Sequence, residues 1–290
     1  MAFKSALSFT EQRRTQRVSP LVRTGAIVAG ILIVIFSLFP LYWVVRVSLT
    51  SDSSTFAESF SLSDLTLENY LTLSDKLPIW KYFGNSMIVT VCSTFLSLVA
   101  AVPAAYSFTR FAFRGRNAFS KGVLALYMLP PIVLVIPLLV VYSKVGLNDT
   151  LVGLVLANSA VGIPFATWLL MGTFAGIPTE LEEAAHVDGC GYVRAMLRVA
   201  LPLGLPGMVA AGCIVFIFAW NDFLFAFTLT SSDAVKTLQV AMRGFVGGEA
   251  GFFWGTIMAA TAVTAIPVIA LFLTFQRGLV SGLAEGGVKG

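Results

Sequence analysis

Residue types that could do chemistry are concentrated in one stretch, residues 177–202, with the sequence IPTELEEAAHVDGCGYVRAMLRVALP. Its charged side chains are four acids followed by two arginines: Glu180, Glu182, Glu183, Asp188, Arg194 and Arg198. His186 is the single histidine of the chain. Because no second histidine lies beside it, we expect no metal site here. The chemistry open to this stretch is charge-assisted binding of a partner.

The same stretch contains signals that begin and end a short helix. Thr179 and Glu182 have the spacing of a capping box, which predicts that a helix starts at Glu180. Gly189 or Gly191 should end it, because glycine adopts the left-handed conformation of a helix C-terminus without steric cost. A helix of two or three turns is marginal in water by itself. We therefore expect it to pack against its own protein or, as the preferred interpretation, against a partner.

A set of residues at fixed spacing makes the stretch more specific. The set is Glu183, Ala184, Ala185, Gly189, Val199, Leu201 and Pro202. It resembles the cytoplasmic EAA loop of ABC importer permeases, EAA-x3-G-x9-I-x-LP, with Val199 in place of the usual Ile. The segments MLPPIVLVIPL from Met128, FAWNDF from Phe218 and the ending SGLAEGGVKG resemble the second permease subunit of maltose-type carbohydrate importers. This resemblance covers roughly Leu21 to Gly290.

The resemblance implies a permease that forms half of the solute path of an ATP-driven importer. It also implies three partners: a cytoplasmic ATPase dimer, a second homologous permease and an external solute-binding protein. ATP and Mg²⁺ would be bound by the ATPase, and no cofactor by this chain. The loop residues expected to couple to the ATPase are Glu182, Glu183, Ala184, Ala185, Asp188 and Gly189. The chain ending Val288, Lys289 and Gly290 is expected to reach between the two ATPase subunits.

Composition indicates the helices that would position this loop. Apolar residues make up 57% of the chain and charged residues 12%, which is far from the average of soluble domains. Each of six uncharged windows exceeds the ~20 residues that cross a bilayer. The windows are 24–45, 82–109, 122–143, 150–179, 199–221 and 250–276. The sequence therefore predicts an all-α integral membrane protein with six transmembrane helices, surrounded by lipid.

The distribution of cations predicts the orientation in the membrane. Thirteen of the nineteen Lys and Arg residues fall on the side that carries both termini and the 177–202 loop. By the positive-inside rule, this side is cytoplasmic. We accordingly divide the chain into a cytoplasmic arm (1–23), a six-helix permease domain (24–276) and a cytoplasmic tail (277–290). The tail is glycine-rich, with little apolar surface to fold by itself. The cations form no single patch, so nucleic acid is not an expected partner.

Inside the membrane, Asp222 is the most costly side chain to insert. An aspartate at a helix centre costs about 2.5–3.5 kcal/mol on insertion scales, and such residues usually face a cavity or the bundle interior. Asp222 follows Trp220 and Asn221, so we assign these three residues to the translocation path. The alternatives are an interface anchor and a packing role.

Other classes of function find less support in the sequence. No glycine-rich phosphate loop occurs, so any nucleotide would be bound by another chain. An autonomous secondary transporter or channel is the main alternative. It would be expected to carry ion-coupling residues near the bilayer centre, and the six uncharged windows contain none. A membrane-embedded enzyme would need a nucleophile with a base, and Cys92 and Cys213 have no histidine partner.

Three secondary features complete the expectations. Prolines at 103, 130, 131, 137, 164, 206 and 267 fall in the predicted spans and should kink them. Gly172/Gly176 and Gly251/Gly255 have the GxxxG spacing that allows close helix packing. The outward loop, residues 231–249, corresponds by resemblance to a probe that reaches towards the binding protein, and the alternative is a flexible connection.

Overall fold

The structure, a computed structural model, describes residues 20–50, 65–76, 78–245 and 253–287, and these residues form helices with one isolated bridge between Thr50 and Leu65. The α-helices are α1 (Pro20–Ser48), α2 (Glu68–Lys76), α3 (Ile79–Arg110), α4 (Arg116–Tyr127), α5 (Pro131–Val145), α6 (Leu151–Ala175), α7 (Glu180–Val187), α8 (Tyr192–Ala195), α9 (Leu201–Leu203), α10 (Leu205–Trp220), α11 (Leu224–Leu229), α12 (Leu238–Met242) and α13 (Trp254–Gly287). A π-helical segment (Met196–Ala200) joins α8 to α9, and a 3₁₀ turn (Arg243–Phe245) follows α12.

Four of these helices are long and apolar enough to cross a membrane without a break: α1, α3, α6 and α13. Two further spans are bent pairs, α4 with α5 at 95° and Tyr192–Leu203 with α10 at 76°. The all-α fold is confirmed, with four spans, or six if each bent pair counts as one. The expectation that the window 122–143 is one continuous helix is wrong. Pro130 is extended at the break (φ −60°, ψ 130°), as expected for a residue that precedes another proline.

Prolines therefore have two structural roles in this bundle. Pro103, Pro137, Pro164 and Pro267 lie inside helices, where kinks were predicted. Pro131 and Pro206 instead occupy the first turns of α5 and α10. Proline is favoured in a first turn because the amide hydrogen it lacks has no partner there.

The central core is formed where α3, α6 and α10 meet. Its small members let the backbones approach closely, and its aromatic members fill the remaining space: Ala101, Ala105, Tyr106, Phe165, Ala166, Phe174, Ala211 and Val215. A Cβ on Gly162 of α6 would lie 2.5 Å from Ser97 Oγ of α3, so a larger residue there would require Ser97 to move. A Cβ on Gly172 would meet nothing within 4 Å, whereas one on Gly255 would lie 2.5 Å from Asn69 Nδ2. Of the two predicted GxxxG pairs, close packing therefore occurs at Gly255.

The turn between α5 and α6 is tied to the chain that follows α11. Gly146 ends α5 at φ +73°, and the Thr150 hydroxyl caps α6 by accepting a backbone hydrogen bond. Asp149 Oδ1 accepts the backbone N–H groups of Ser231 (2.8 Å) and Ser232 (2.9 Å). The Ser232 and Ser231 hydrogen bonds lower the pKa of the Asp149 carboxyl below its ordinary 3.8. The carboxylate is thus held ionised at neutral pH and fixes the start of the outward loop.

A second set of bonds docks the same loop onto α3. Asn85 Nδ2 donates to the carbonyls of Ala234 (3.0 Å) and Lys236 (2.9 Å), and Ser86 Oγ accepts from Leu238 N (2.9 Å). As far as residue 245, the outward loop is a docked segment that includes α12, and the alternative of a flexible connection is wrong for this part. Residues 246–252 lie outside the described residues, and the role as a probe remains a prediction.

The C-terminal helix is longer than its uncharged window. The window ends at Gln276, but α13 continues to Gly287. The predicted tail thus begins as a continuation of the last helix, which can add residues of low apolar content because the helix is already nucleated. Val288, Lys289 and Gly290 lie outside the described residues, and their contact with an ATPase remains a prediction.

Candidate functional site

The helix predicted in the polar stretch is α7, and its bounds agree with the prediction. It begins at Glu180 and ends at Val187, with Gly189 at φ +85° just beyond. The capping box is wrong: Thr179 has helical dihedrals and its side chain makes no capping hydrogen bond. The Glu182 side chain that would complete the box is bonded elsewhere.

Glu182 faces the bundle and is 4% exposed. Its Oε1 accepts a hydrogen bond from Arg110 Nε at 2.7 Å, and its Oε2 accepts one from the Tyr106 hydroxyl at 2.5 Å. Arg110 Nη2 also donates to the Ile177 carbonyl at 2.9 Å. Glu182 therefore does not lie on the partner-facing surface where we had expected it. Burial is tolerated because the charge is paired and both oxygens are hydrogen-bonded.

The remaining predicted loop residues lie at or near the surface. Glu183, Ala184, Asp188 and Gly189 are exposed, and Ala185 is half-buried. Large apolar side chains beside the acids are also exposed: Leu181, Val187 (88%), Tyr192 and Val193 (68%). We call the set Leu181, Glu183, Val187, Asp188 and Val193 the α7 surface. Exposed apolar side chains beside acids suit a partner interface, and this role of α7 remains a prediction.

His186 has a structural position in the turn after α7. Its Nδ1 lies 2.7 Å from the Cys190 carbonyl oxygen, and its ring meets Tyr192 edge-on at 4.7 Å between centroids. Tyr192 in turn meets Phe111, beyond the end of α3, at 5.2 Å. The histidine thus closes the turn, and among the described residues no group of three or more metal-ligating side chains forms around it.

A cavity of about 580 Å³ lies between the start of α5, the middle of α6 and the end of α10. Its wall combines aromatic, amide and carboxylate groups, including Tyr127, Asn158, Phe218, Asn221 and Asp222. Two of the three residues that we assigned to the translocation path thus line this cavity. Trp220 does not.

Trp220 instead belongs to the core on the other side of α10. It is 1% exposed, its Nε1 donates to the Thr264 carbonyl at 3.0 Å, and its ring packs edge-on against Phe83. Its assignment to the path is wrong, because successive helical residues point about 100° apart. Trp220 therefore fixes α10 to α13 and α3.

Asp222 spans the break between α10 and α11. Its Oδ1 accepts from Phe225 N at 3.1 Å, and its Oδ2 accepts from Ala226 N at 3.2 Å and from Asn158 Nδ2 at 3.3 Å. The carboxylate therefore satisfies backbone donors in the first turn of α11, as an N-cap does. It also ties α11 to α6 across the cavity wall. A gate role in transport remains a prediction.

Asp222→Asn should loosen α11, because an amide has one acceptor oxygen where the carboxylate has two. The change should lower stability by about 0.5–1.5 kcal/mol, the range for one hydrogen bond, and alter transport or leak while the chain still inserts. Asn221→Ala is the control, since within the described part of the chain Asn221 Nδ2 donates to the Ile217 carbonyl of its own helix and to no other group. Thermal unfolding in detergent compares the two, and equal midpoints would contradict the capping role.

Comparison with known proteins adds independent findings. The family described as binding-protein-dependent transport system inner membrane component matches residues 93–285. The diacetylchitobiose uptake system permease protein DasC of Streptomyces coelicolor is 34% identical, over 91% of this chain and 96% of that protein. The trehalose/maltose transport system permease protein MalG of Thermococcus litoralis is 34% identical, over 94% of this chain and 99% of that protein.

A solved structure shares the fold. One chain of a bacterial ABC transporter involved in import of the acidic polysaccharide alginate matches with a TM-score of 0.74 at 24% identity, over 90% of this chain and 98% of that chain. At this identity the likeness concerns the arrangement of the helices.

Proposed function

The chain belongs to the family of binding-protein-dependent transport system inner membrane components, and we propose that it forms half of the translocation path of an ATP-driven carbohydrate importer. It is a permease subunit of an ABC importer, and the finer assignments concern its partners, orientation and solute. The observation that carries the proposal is the α7 surface, where exposed apolar and acidic side chains lie at one end of a membrane bundle.

The partner for the α7 surface is a cytoplasmic ATPase dimer, which binds ATP and Mg²⁺. Glu183 is suited to a charge-assisted bond with a basic residue of that partner, and Val187 and Val193 to an apolar pocket. The positive-inside rule supports this orientation, with both termini and α7 on the cytoplasmic side. The catalytic chemistry then belongs to the partner.

The cavity beside Asp222 suits a polyhydroxylated solute. Aromatic faces at Tyr127 and Phe218 can cover apolar sugar faces, while amides at Asn158 and Asn221 can bond hydroxyl groups. Carbohydrate uptake is also the role named for the DasC and MalG relatives. The proposal includes a second, homologous permease that closes the path and an external solute-binding protein that delivers the sugar to the opposite end of the bundle, near α12.

Reconstitution tests this function. The chain would be co-expressed with the second permease, ATPase and binding protein encoded beside it, and uptake of labelled mono-, di- and oligosaccharides measured in proteoliposomes. We expect accumulation of one sugar class that requires both ATP and the binding protein. Uptake driven by an ion gradient without the ATPase would instead establish the secondary transporter.

A further inference from the structure

The buried ion pair between Glu182 and Arg110 connects α7 to one particular transmembrane helix. Among the described residues, Glu182 is the one acidic side chain that is fully buried, and the Arg110 side chain is 9% exposed. A buried pair is costly to desolvate and contributes little to stability compared with apolar packing. The role of this ion pair is therefore to connect the two helices that carry it, α3 and α7.

The bonds around this pair join the end of α3 to the first turn of α7 and to the turn just before it. Tyr106 and Arg110 are four residues apart, so they lie on the same face of the last turns of α3. Through Glu182 they hold the first turn of α7, and through the Ile177 carbonyl they hold the turn that precedes it. The entry into α7 is thus fixed to α3 at two points.

Aromatic contacts attach the other end of α7 to the same helix. His186 packs on Tyr192, Tyr192 on Phe111, and Phe111 on Tyr106, with centroid distances of 4.7, 5.2 and 6.0 Å. The Tyr106 ring also packs on Phe174 of α6 at 6.0 Å. Both ends of α7 therefore lead to the end of α3, and Tyr106 takes part in both attachments.

The connection from α7 towards α10 is built differently. It passes through the π-helical segment and α9 before the 76° bend that precedes α10. Such irregular segments are typical positions of helix bending. Hence α7 is tied to α3 by side-chain bonds and ring contacts, and it is joined to α10 through a bend.

We propose that Tyr106, Arg110 and Glu182 form a latch that makes α7 and α3 one rigid body, so that a force on the α7 surface moves α3 directly. These are positioning residues: they act through the two helices and touch neither solute nor nucleotide. The inference rests on the proposed function, since it assigns the route by which the ATPase drives the path. The two neighbouring acids thereby have separate roles. Glu183 contacts the partner, and Glu182 bonds to α3.

Glu182→Gln tests the latch because it keeps the shape and removes the charge. In the reconstituted importer we expect the ATP hydrolysed per sugar imported to rise on the order of tenfold, within the range of coupling between sites. The ATPase should co-purify at the wild-type level. Tyr106→Phe, which removes one bond and retains the ion pair, should have an intermediate effect. Glu180→Gln, the same change at an exposed acid of α7, should leave the ratio unchanged.

A distance measurement in the intact latch keeps the inference testable even if Glu182→Gln folds poorly. Spin labels at Glu180 and Val99, both exposed on α7 and α3, would be compared with a reference pair at Glu180 and Phe272 of α13, because Glu180 lies outside the α7 surface. Cys92, Cys190 and Cys213 would first be replaced. Between nucleotide-free and ATP-bound complexes, the α7–α3 distance should stay constant while the reference distance changes.

The outcomes separate the latch from the function. If an active importer changes its α7–α3 distance as much as the reference distance, the latch is refuted and the function stands. The same holds if Glu182→Gln imports sugar at the wild-type ATP cost. Failure of the wild-type chain to form a complex with the ATPase would refute the proposed function and the latch together.

Discussion

Glu183→Lys should release the ATPase from the assembled importer while the chain still inserts in the membrane. Glu183 is exposed on α7, so the substitution disturbs no internal contact of the described residues. A charge-assisted bond at a partly desolvated interface contributes about 1.5–3 kcal/mol, which corresponds to a loss of affinity of roughly 10- to 150-fold. Charge reversal adds repulsion to this loss.

Co-purification of the ATPase with tagged permease measures the effect, and sugar uptake should fall with it. Glu68→Lys is a matched control, because Glu68 is an exposed acid in the first turn of α2 at the opposite end of the bundle. Undiminished recovery of the ATPase with Glu183→Lys would count against α7 as the coupling element.

Gly207→Ala should lower the stability of the bundle, although alanine is normally the better helix former. The added Cβ would lie 2.8 Å from Thr173 Cβ, and closer still to Oγ1 and Cγ2 of the same side chain. Rotation of Thr173 can move its outer atoms, but its Cβ is fixed to α6, so the two helices must separate. Overpacking of this kind costs about 1–3 kcal/mol, which exceeds the gain of about 1 kcal/mol from helix propensity.

The thermal midpoint of the purified chain in detergent checks this result. Gly172→Ala is the control, since the corresponding Cβ would meet nothing within 4 Å, and it should leave the midpoint unchanged or raise it. Combining Gly207→Ala with Thr173→Gly, which removes the opposing Cβ, should lower the midpoint by less than the two single changes added together. A double variant whose loss equals that sum would show that the contact with Thr173 is not the cause.

The sequence predicted those parts of the fold that depend on local composition. Uncharged windows located the spans because insertion in lipid depends on apolar length. Gly189 and Gly191 were the two candidate ends of α7, and the structure has the positive φ at Gly189. Window composition does not report where a span bends, so the 95° break before Pro131 was missed although its prolines were noted.

The sequence located the helix that carries the candidate site. It did not show which of two neighbouring side chains points inward and which points outward. Glu182 and Glu183 are adjacent and chemically identical, and which one turns inward is decided by Arg110, 72 positions away along the chain. Similarly, Trp220 and Asp222 are two residues apart but lie on opposite sides of α10. Trp220 bonds Thr264 and Asp222 bonds Asn158. No local pattern contains these long-range partners.

The packing of α1 has a consequence for the order in which the protein can be completed during synthesis. Most of α1 is exposed, and within the described chain it packs mainly against α13, which is synthesised after the other described helices. α2 likewise packs on α13, where Asn69 lies against Gly255. During synthesis α1 must therefore remain in the bilayer without this contact until α13 has been inserted. Its apolar length is sufficient to keep it there. A chain interrupted before Trp254 would leave α1 without its main helix contact, and its exposed surface would be available to membrane quality control.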